Sequence, residues 1–229
     1  GRPIISHVID LFSKDDEFIF ICNRDHLNST NMKSILNKYS PEGKIIEIDS
    51  HKKGPVYAVS KAYDFIDNDE PLIINYCDFS CYWDYSKFMN WLKKVKCDGC
   101  IPSYKGFHPH SLGNTNYAYL KETDLNVKEI QEKRPYTANR MNEFASSGTY
   151  YFKSVKLMEK YFKKTIERNL NVKGEYYVSM SFKPMIEDKL KLTNYNLDYF
   201  MQWGTPEDLK VFNWYSSLFK AITKKGNNK

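Results

Sequence analysis

The chain has 229 residues, enough for one large domain with a core of its own, and carries a formal charge of +6. Its 18 tyrosines are spread along the chain, and no arginine-rich stripe or RNA-binding signature accompanies them, so the charge fits small phosphorylated ligands better than nucleic acid. No apolar run approaches the roughly 18–20 residues that span a bilayer, the first residues lack a signal-peptide pattern, and an odd set of five cysteines argues against a disulfide scaffold. The expectation is a soluble, cytoplasmic protein without a membrane or nucleic-acid partner.

From the start of the chain, "PIISHVIDLF" spaces Ile4, Ile5, Val8, Ile9, Leu11 and Phe12 as a helix does. "EFIFIC" is short and rich in aromatic and β-branched residues, hence a buried strand, and "LNSTNMKSILNKY" after it is a helix. "KIIEID" is the next strand. "VYAVSKAYDFI" is the next helix, with Val56, Val59, Ala62, Tyr63 and Ile66 on one face. "EPLIINYCDF" is again a strand, "SKFMNWLKKV" a helix and "CDGCIPSY" a strand. The "CDGC" spacing suits zinc or a redox pair, but no second CxxC or paired histidine joins it, so Cys97 and Cys100 read as ordinary buried thiols.

Strand–helix alternation of this kind argues for a parallel, helix-covered sheet, in which ligands bind beyond the carboxyl ends of strands. Asp78 stands at such an end. From about Phe107 the texture changes to short strands and loops ("NYAYLKE", "VKEIQEK", "SSGTYYFKS"), then a helix "VKLMEKYFKKTIERNL" and another from "GEYYVSMSFKPMIED". "LKLTNYNLDYFMQW" reads as a strand pair. A helix capped by Thr205, with Pro206 first and Asp208 third, follows, and "KKGNNK" reads as a frayed tail. The spacing predicts one α/β domain, with residues 1–105 as one half and 106–229 as a loop-rich half closing over a ligand.

Several marks recur in order: Lys53-Gly54-Pro55 in "KKGPVYAV", Asp78 in "NYCDF", Glu132 and Lys133 in "IQEKRP", Ser147 and Gly148 in "ASSGTYYF", Glu175 in "GEYYVSM", and Gln202 to Thr205 in "MQWGTPEDL". Taken together they resemble the nucleotidyltransferase family that makes nucleotide-sugars and related activated metabolites for capsule and surface polysaccharides. The resemblance covers nearly the whole chain and implies a Rossmann-like, mixed, mostly parallel sheet of the GT-A type. It places the family's glycine-rich loop, which grips the triphosphate with an arginine and a Lys-Pro, upstream of Gly1.

What the resemblance implies is transfer of a nucleoside monophosphate from a nucleoside triphosphate to a phosphorylated small-molecule acceptor, with pyrophosphate released. Such a reaction needs alignment and charge neutralisation more than covalent help. Asp78 matches the family's Mg²⁺-binding acid. Lys53, Gly54 and Pro55 match the segment that approaches the nucleobase. Glu132 and Lys133 match a Glu-Lys-Pro element whose acid binds acceptor hydroxyls and whose lysine binds the acceptor phosphate, although Arg134 intervenes here before Pro135. Ser147 and Gly148 match a small-residue turn against the acceptor, and Glu175 an acid that meets its hydroxyls. Gln202 departs from the pattern: many relatives carry an aspartate there, so either one Mg²⁺ rests mainly on Asp78 and the phosphates, or another acid such as Asp198 contributes.

"KGFHPHSLGNTNYAY" adds His108 and His110 around Pro109 beside Lys105, read as contacts to an anionic acceptor or as a structural loop pair. Two other readings stay open. A GT-A glycosyltransferase consuming a nucleotide-sugar would show a D-x-D pair, and "CDFS" lacks the second acid. A domain that binds a nucleotide or metabolite without turnover is consistent with a chain that begins after the phosphate loop.

Overall fold

The computed structural model describes residues 1–67, 69–113 and 116–226, with side chains through Thr223. In chain order the first half comprises α1 (Ile4–Ile9), β1 (Ile19–Asn23), α2 (Arg24–Ser29), α3 (Met32–Tyr39), β2 (Lys44–Ile48), α4 (Pro55–Ser60), β3 (Leu72–Asn75), β4 (Phe79–Tyr82), α5 (Tyr85–Val95) and β5 (Gly99–Tyr104). The second half comprises β6 (Ala118–Thr123), β7 (Asn126–Glu132), β8 (Phe144–Ser146), β9 (Thr149–Phe152), α6 (Val155–Glu167), α7 (Phe182–Glu187), β10 (Leu192–Asn196), β11 (Tyr199–Gln202) and α8 (Pro206–Gly226).

A seven-stranded sheet runs in the order β10-β7-β6-β8-β5-β9-β3, and β10 also pairs with β5. Beside it lie two two-stranded sheets, β1 with β2 and β11 with β4. The sheet is mixed, as expected, but the ladders run mainly antiparallel: β1–β2 and β5–β10 are parallel, and the other pairs among the described residues are antiparallel. The reason lies in the second half, where β6 and β7 form a hairpin over "ETDLN" and β8 and β9 turn back on β5, so hairpins replace helical crossovers.

The main core sits between this sheet and α4, α6 and α7, around Val56, Ile101, Phe152, Met158, Phe162 and Phe182. α6 is built for that position. Ser154 caps it by accepting from the Leu157 amide at 3.2 Å, and Val155, Met158, Tyr161, Phe162 and Thr165 recur on its buried face. A second, aromatic core of Phe79, Tyr104, Tyr119 and Phe200 joins β4 and β11 to the sheet, with Tyr104 stacked on Phe200 at 4.3 Å.

Three expectations change. "LNSTNMKSILNKY" forms two short helices rather than one. The helix expected from Glu175 begins only with the 3₁₀ turn Val178–Ser181, leaving Glu175 to Tyr177 outside it. β10 and β11 are consecutive strands but belong to different sheets. The frayed tail is helical in α8 as far as Gly226; residues 227–229, and residues 114–115 of the histidine loop, lie outside the described residues. Among the described residues no helix is long and apolar enough to cross a membrane.

Candidate active site

β3 carries the chain out of the core to Asn75, whose side chain accepts from Thr149 Oγ1 at 2.5 Å, and the bend that follows holds Asp78. Gly148, at φ +92°, packs directly over that bend: its carbonyl accepts from the Tyr76 amide at 3.1 Å. A Cβ there would meet the rings of Tyr76 and Phe79 at 3.1 and 3.3 Å, so the close approach and the positive φ both require glycine. Ser147 is buried and donates its hydroxyl to the Pro102 carbonyl at 2.9 Å, which gives it the work of holding this turn on β5.

β11 runs antiparallel to β4, with Gln202 opposite Phe79, and the Trp203 amide donates to the Asp78 carbonyl at 3.0 Å. The pairing brings the Asp78 carboxylate and the Gln202 amide together over Gly204. A Cβ on Gly204 would lie 2.5 Å from Asp78 Oδ2 and 2.6 Å from Gln202 Nε2. The second acid here is Asp208, in the first turn of α8, where Thr205 Oγ1 donates to its Oδ2 at 2.8 Å. Burial holds the Asp78 carboxyl above the ordinary carboxylate range, and the negative charge of Asp208 pushes the same way against one backbone hydrogen bond. Asp198 does not join them: it is exposed at the opposite end of β11, beyond the Tyr199–Tyr82 pair.

Two acids and a cradle that a methyl group would fill, with the Gln202 Nε2 beside Asp78 Oδ2, suit a hard cation that keeps most of its ligands from water and phosphate oxygens. No cluster of three acidic, histidine or cysteine side chains with metal-ligand geometry occurs among the described residues. The donor set therefore fits Mg²⁺ held jointly with a substrate, and does not fit an all-protein cage.

A second group of side chains lies at the end of β7. Glu132 accepts from Ser179 Oγ at 2.5 Å, and burial pushes its carboxyl up to about 7 despite that bond and the nearby Lys133 ammonium. Lys133 has φ +57°, a costly conformation for a lysine, and its amide donates to the Tyr117 carbonyl at 2.9 Å. Its ammonium donates to Tyr177, which donates in turn to Glu175, and it lies 4.0 Å from the Glu175 carboxylate. Arg134 is exposed without an ion pair among the described residues, so the structure joins Lys133 rather than Arg134 to this group.

The Lys53–Pro55 segment reaches the same place by backbone pairing. The Tyr176 amide donates to the Lys53 carbonyl at 2.9 Å and the Val56 amide to the Tyr176 carbonyl at 3.0 Å. Gly54 has φ +81°, and a Cβ there would lie 2.7 Å from Tyr176 N. A cavity of about 690 Å³ borders this segment along β2, lined in part by Ser50, His51, Tyr57 and Lys61; it does not include Asp78.

His108 and His110 lie away from the surface. Both are buried in the aromatic core, with His110 Nε2 2.8 Å from the Tyr104 hydroxyl and His108 Nε2 accepting from the Phe200 amide at 3.3 Å. Burial pushes His110 down to about 3, so it is neutral. The "CDGC" thiols Cys97 and Cys100 are likewise buried and free, and burial raises both.

Several residues near the site escape a sequence reading. Asp208 is hidden by its role in the Thr205 cap; two acids in the helical turn right after "QWG" were the available hint. Tyr177 and Ser179 are obscured because "EYYVSM" reads as helix, although Glu175 and Tyr177 follow the two-residue spacing of extended chain. Tyr117 links the two groups: its carbonyl holds Lys133, and the charges of Asp208 and Asp78 help burial to raise its hydroxyl. The Tyr76 hydroxyl, near Glu132 and Tyr150, is buried with no partner at full hydrogen-bond geometry among the described residues.

No family profile matches the sequence, and no curated protein matches it. Solved structures do. A nucleoside-diphosphate-sugar pyrophosphorylase from Vibrio cholerae RC9 superposes with a TM-score of 0.68 at 16% identity, over 93% of this chain and 87% of that one. A UDP-glucose pyrophosphorylase complexed with UDP-glucose superposes at 0.67 and 14% identity, over 94% and 87% of the two chains. A Bacillus anthracis protein assigned as a glucose-1-phosphate thymidylyltransferase, in complex with a sucrose, superposes at 0.66 and 18% identity, over 91% and 80%. The chain thus has the fold of the sugar nucleotidyltransferases.

Proposed function

We propose that the protein is a nucleotidyltransferase that joins a nucleoside monophosphate to a sugar phosphate and releases pyrophosphate. The observation that carries this reading is the meeting of Asp78, Gln202 and Asp208 at the end of β3, linked through Tyr117 to Glu132, Lys133 and Glu175. In the reaction a phosphate oxygen of the acceptor attacks the α-phosphorus of the triphosphate, one P–O bond forms, and the bond to the pyrophosphate leaving group breaks.

Asp78 and Asp208 would hold Mg²⁺, which when bound there neutralises charge on the triphosphate. Lys133 meets the acceptor phosphate, and Glu132 and Glu175 take hydroxyls of the sugar. The backbone at Gly54 approaches the base, and Gly148 lets the acceptor lie against the chain. The proposed setting is the cytoplasm, where nucleoside triphosphates are at hand and five free cysteines stay reduced, and the proposed product is an activated sugar for surface polysaccharides.

The test is pyrophosphate release by the full-length protein across a panel of triphosphates and sugar phosphates with Mg²⁺. Asp78→Asn is expected to lower the rate by at least about 10²-fold, the scale of one preorganised charged contact, while leaving the melting temperature close to wild type. Full activity in that variant would remove Asp78 from the mechanism. Cleavage of a nucleotide-sugar with no triphosphate present would replace the proposal with a glycosyltransferase.

A further inference from the structure

α8 starts on the body of the protein and then leaves it. Its Phe212 packs against Trp203 at 5.2 Å, but every residue from Ser217 to Thr223 is exposed. The exposed stretch is not polar. Trp214 is 61% exposed, Phe219 59%, Ile222 55%, Val211 40% and Leu218 38%. At 3.6 residues per turn these five and Tyr215 fall within an arc of about 140°, a continuous apolar stripe along one side of the helix. Short helices standing in water are marginal, and tertiary packing of the apolar face normally supplies their stability.

We propose that this stripe is the interface of a homodimer in which α8 packs antiparallel against α8 of a second copy. The spacing of the stripe is symmetric about the midpoint between Ser216 and Ser217. Reversal about that point sets Val211 on Ile222, Trp214 on Phe219 and Tyr215 on Leu218, so each apolar residue meets an apolar residue. A twofold interface is self-complementary in this way, and few other partners would need such symmetry.

Charge selects the same direction. Glu207 lies in the first turn, and the sequence carries Lys220, Lys224 and Lys225 toward the other end, while Asp208 belongs to the site beside Asp78. Antiparallel packing sets the acidic start of each helix beside the basic end of the other and opposes their dipoles, whereas parallel packing sets like on like. The stripe offers about 500 Å² of apolar surface per protomer. Paired, it provides about 1,000 Å² from these side chains alone, which is the size a specific interface must clear before its polar rim is counted.

The experiment is sedimentation velocity with light scattering on the full chain at micromolar concentration. The expected mass is twice the protomer's 27.1 kDa. Leu218→Glu, at an exposed position near the symmetry point, is expected to weaken the dimer at least about 100-fold and give a folded monomer that still unfolds in one cooperative transition, at a melting temperature lowered by the loss of its partner. Direction is read by oxidation of two variants in which the exposed Cys77 is replaced by serine and one new cysteine is added, each run alone as a control. Val211→Cys mixed with Ile222→Cys is expected to cross-link between chains, and Ile222→Cys alone is not. A monomeric wild type, a dimer that persists in Leu218→Glu, self-cross-linking of Ile222→Cys, or a monomer that sediments with anionic vesicles would each overturn the proposal, the last by assigning the stripe to a membrane surface.

Discussion

Glu132→Gln isolates the most consequential buried acid of the site. In the fold its carboxyl titrates at about 7, against 4.5 for the free group, because burial penalises its charged form. Between those values the folded protein keeps a proton that the unfolded chain releases. Stability therefore falls as pH rises from 4.5 to 7 and stays lower above it, by about 3 kcal/mol. Glutamine keeps the hydrogen bond from Ser179 and cannot ionise, so the variant escapes this loss.

Melting temperatures of both proteins at pH 5 and pH 8 check the reasoning. For a domain of this size 3 kcal/mol corresponds to about 6–12 °C. The variant is expected to melt higher by that amount at pH 8 and within about 3 °C of wild type at pH 5. Other titrating groups, His110 among them, are common to both proteins and cancel in the difference. An offset that is the same at both pH values, or a wild type that is the more stable at pH 8, would refute the claim that Glu132 is a desolvated acid. If the acid also takes sugar hydroxyls, the same substitution raises the acceptor KM more than it changes kcat.

Gly204→Ala places a methyl group where Asp78 Oδ2 and Gln202 Nε2 converge, so Mg²⁺-dependent turnover is expected to fall at least about 10-fold while the urea midpoint barely moves, since flexible side-chain ends give way first. His110 is held neutral down to about pH 3, so it contributes stability above pH 6.5 that is lost as pH falls toward 3; His110→Gln is expected to flatten that acid limb in urea titrations from pH 6.5 to 4. Mg²⁺ at ten times its Kd is expected to add about 1.4 kcal/mol to wild-type stability, seen as a rise in melting temperature, and to leave Asp78→Asn unmoved. A shift of equal size in both proteins would place the ion elsewhere.

Local pattern was enough to read the alternation of the first half, the cap at Thr205, and the position of Asp78 at a strand end, because each depends on residues close in sequence. The nearness of Gln202 to Asp78 came from resemblance instead. Its physical cause is the β4–β11 ladder, which joins residues more than a hundred apart and leaves no periodic trace. The helix expected from Glu175 failed for a related reason: the backbone of Tyr176 is claimed by Lys53 and Val56, and that long-range pairing overrides local helical spacing. For His108 and His110, loop sequence left acceptor contact and a structural pair both open; the Tyr104 hydroxyl and Phe200 ring hold His110, and the Phe200 amide and Tyr104 ring hold His108, contacts with β5 and with the distant β11.

The two sides of Tyr117 stand in opposite electrostatic states, a contrast that suits the two substrates of the proposed function. Asp78 and Asp208 repel each other, and nothing among the described residues neutralises them, so on the proposed function a triphosphate would have to bring a cation with it. On the other side Lys133 is already engaged by Tyr177 and Glu175, at a backbone angle that costs energy to hold. On the proposed function, an incoming acceptor phosphate would take the ammonium from Glu175 and free that carboxylate for a sugar hydroxyl. An acceptor lacking its phosphate would leave the Lys133–Glu175 pair closed, so the proposal predicts selection of phosphorylated sugars over free ones by an exchange of partners rather than by shape alone.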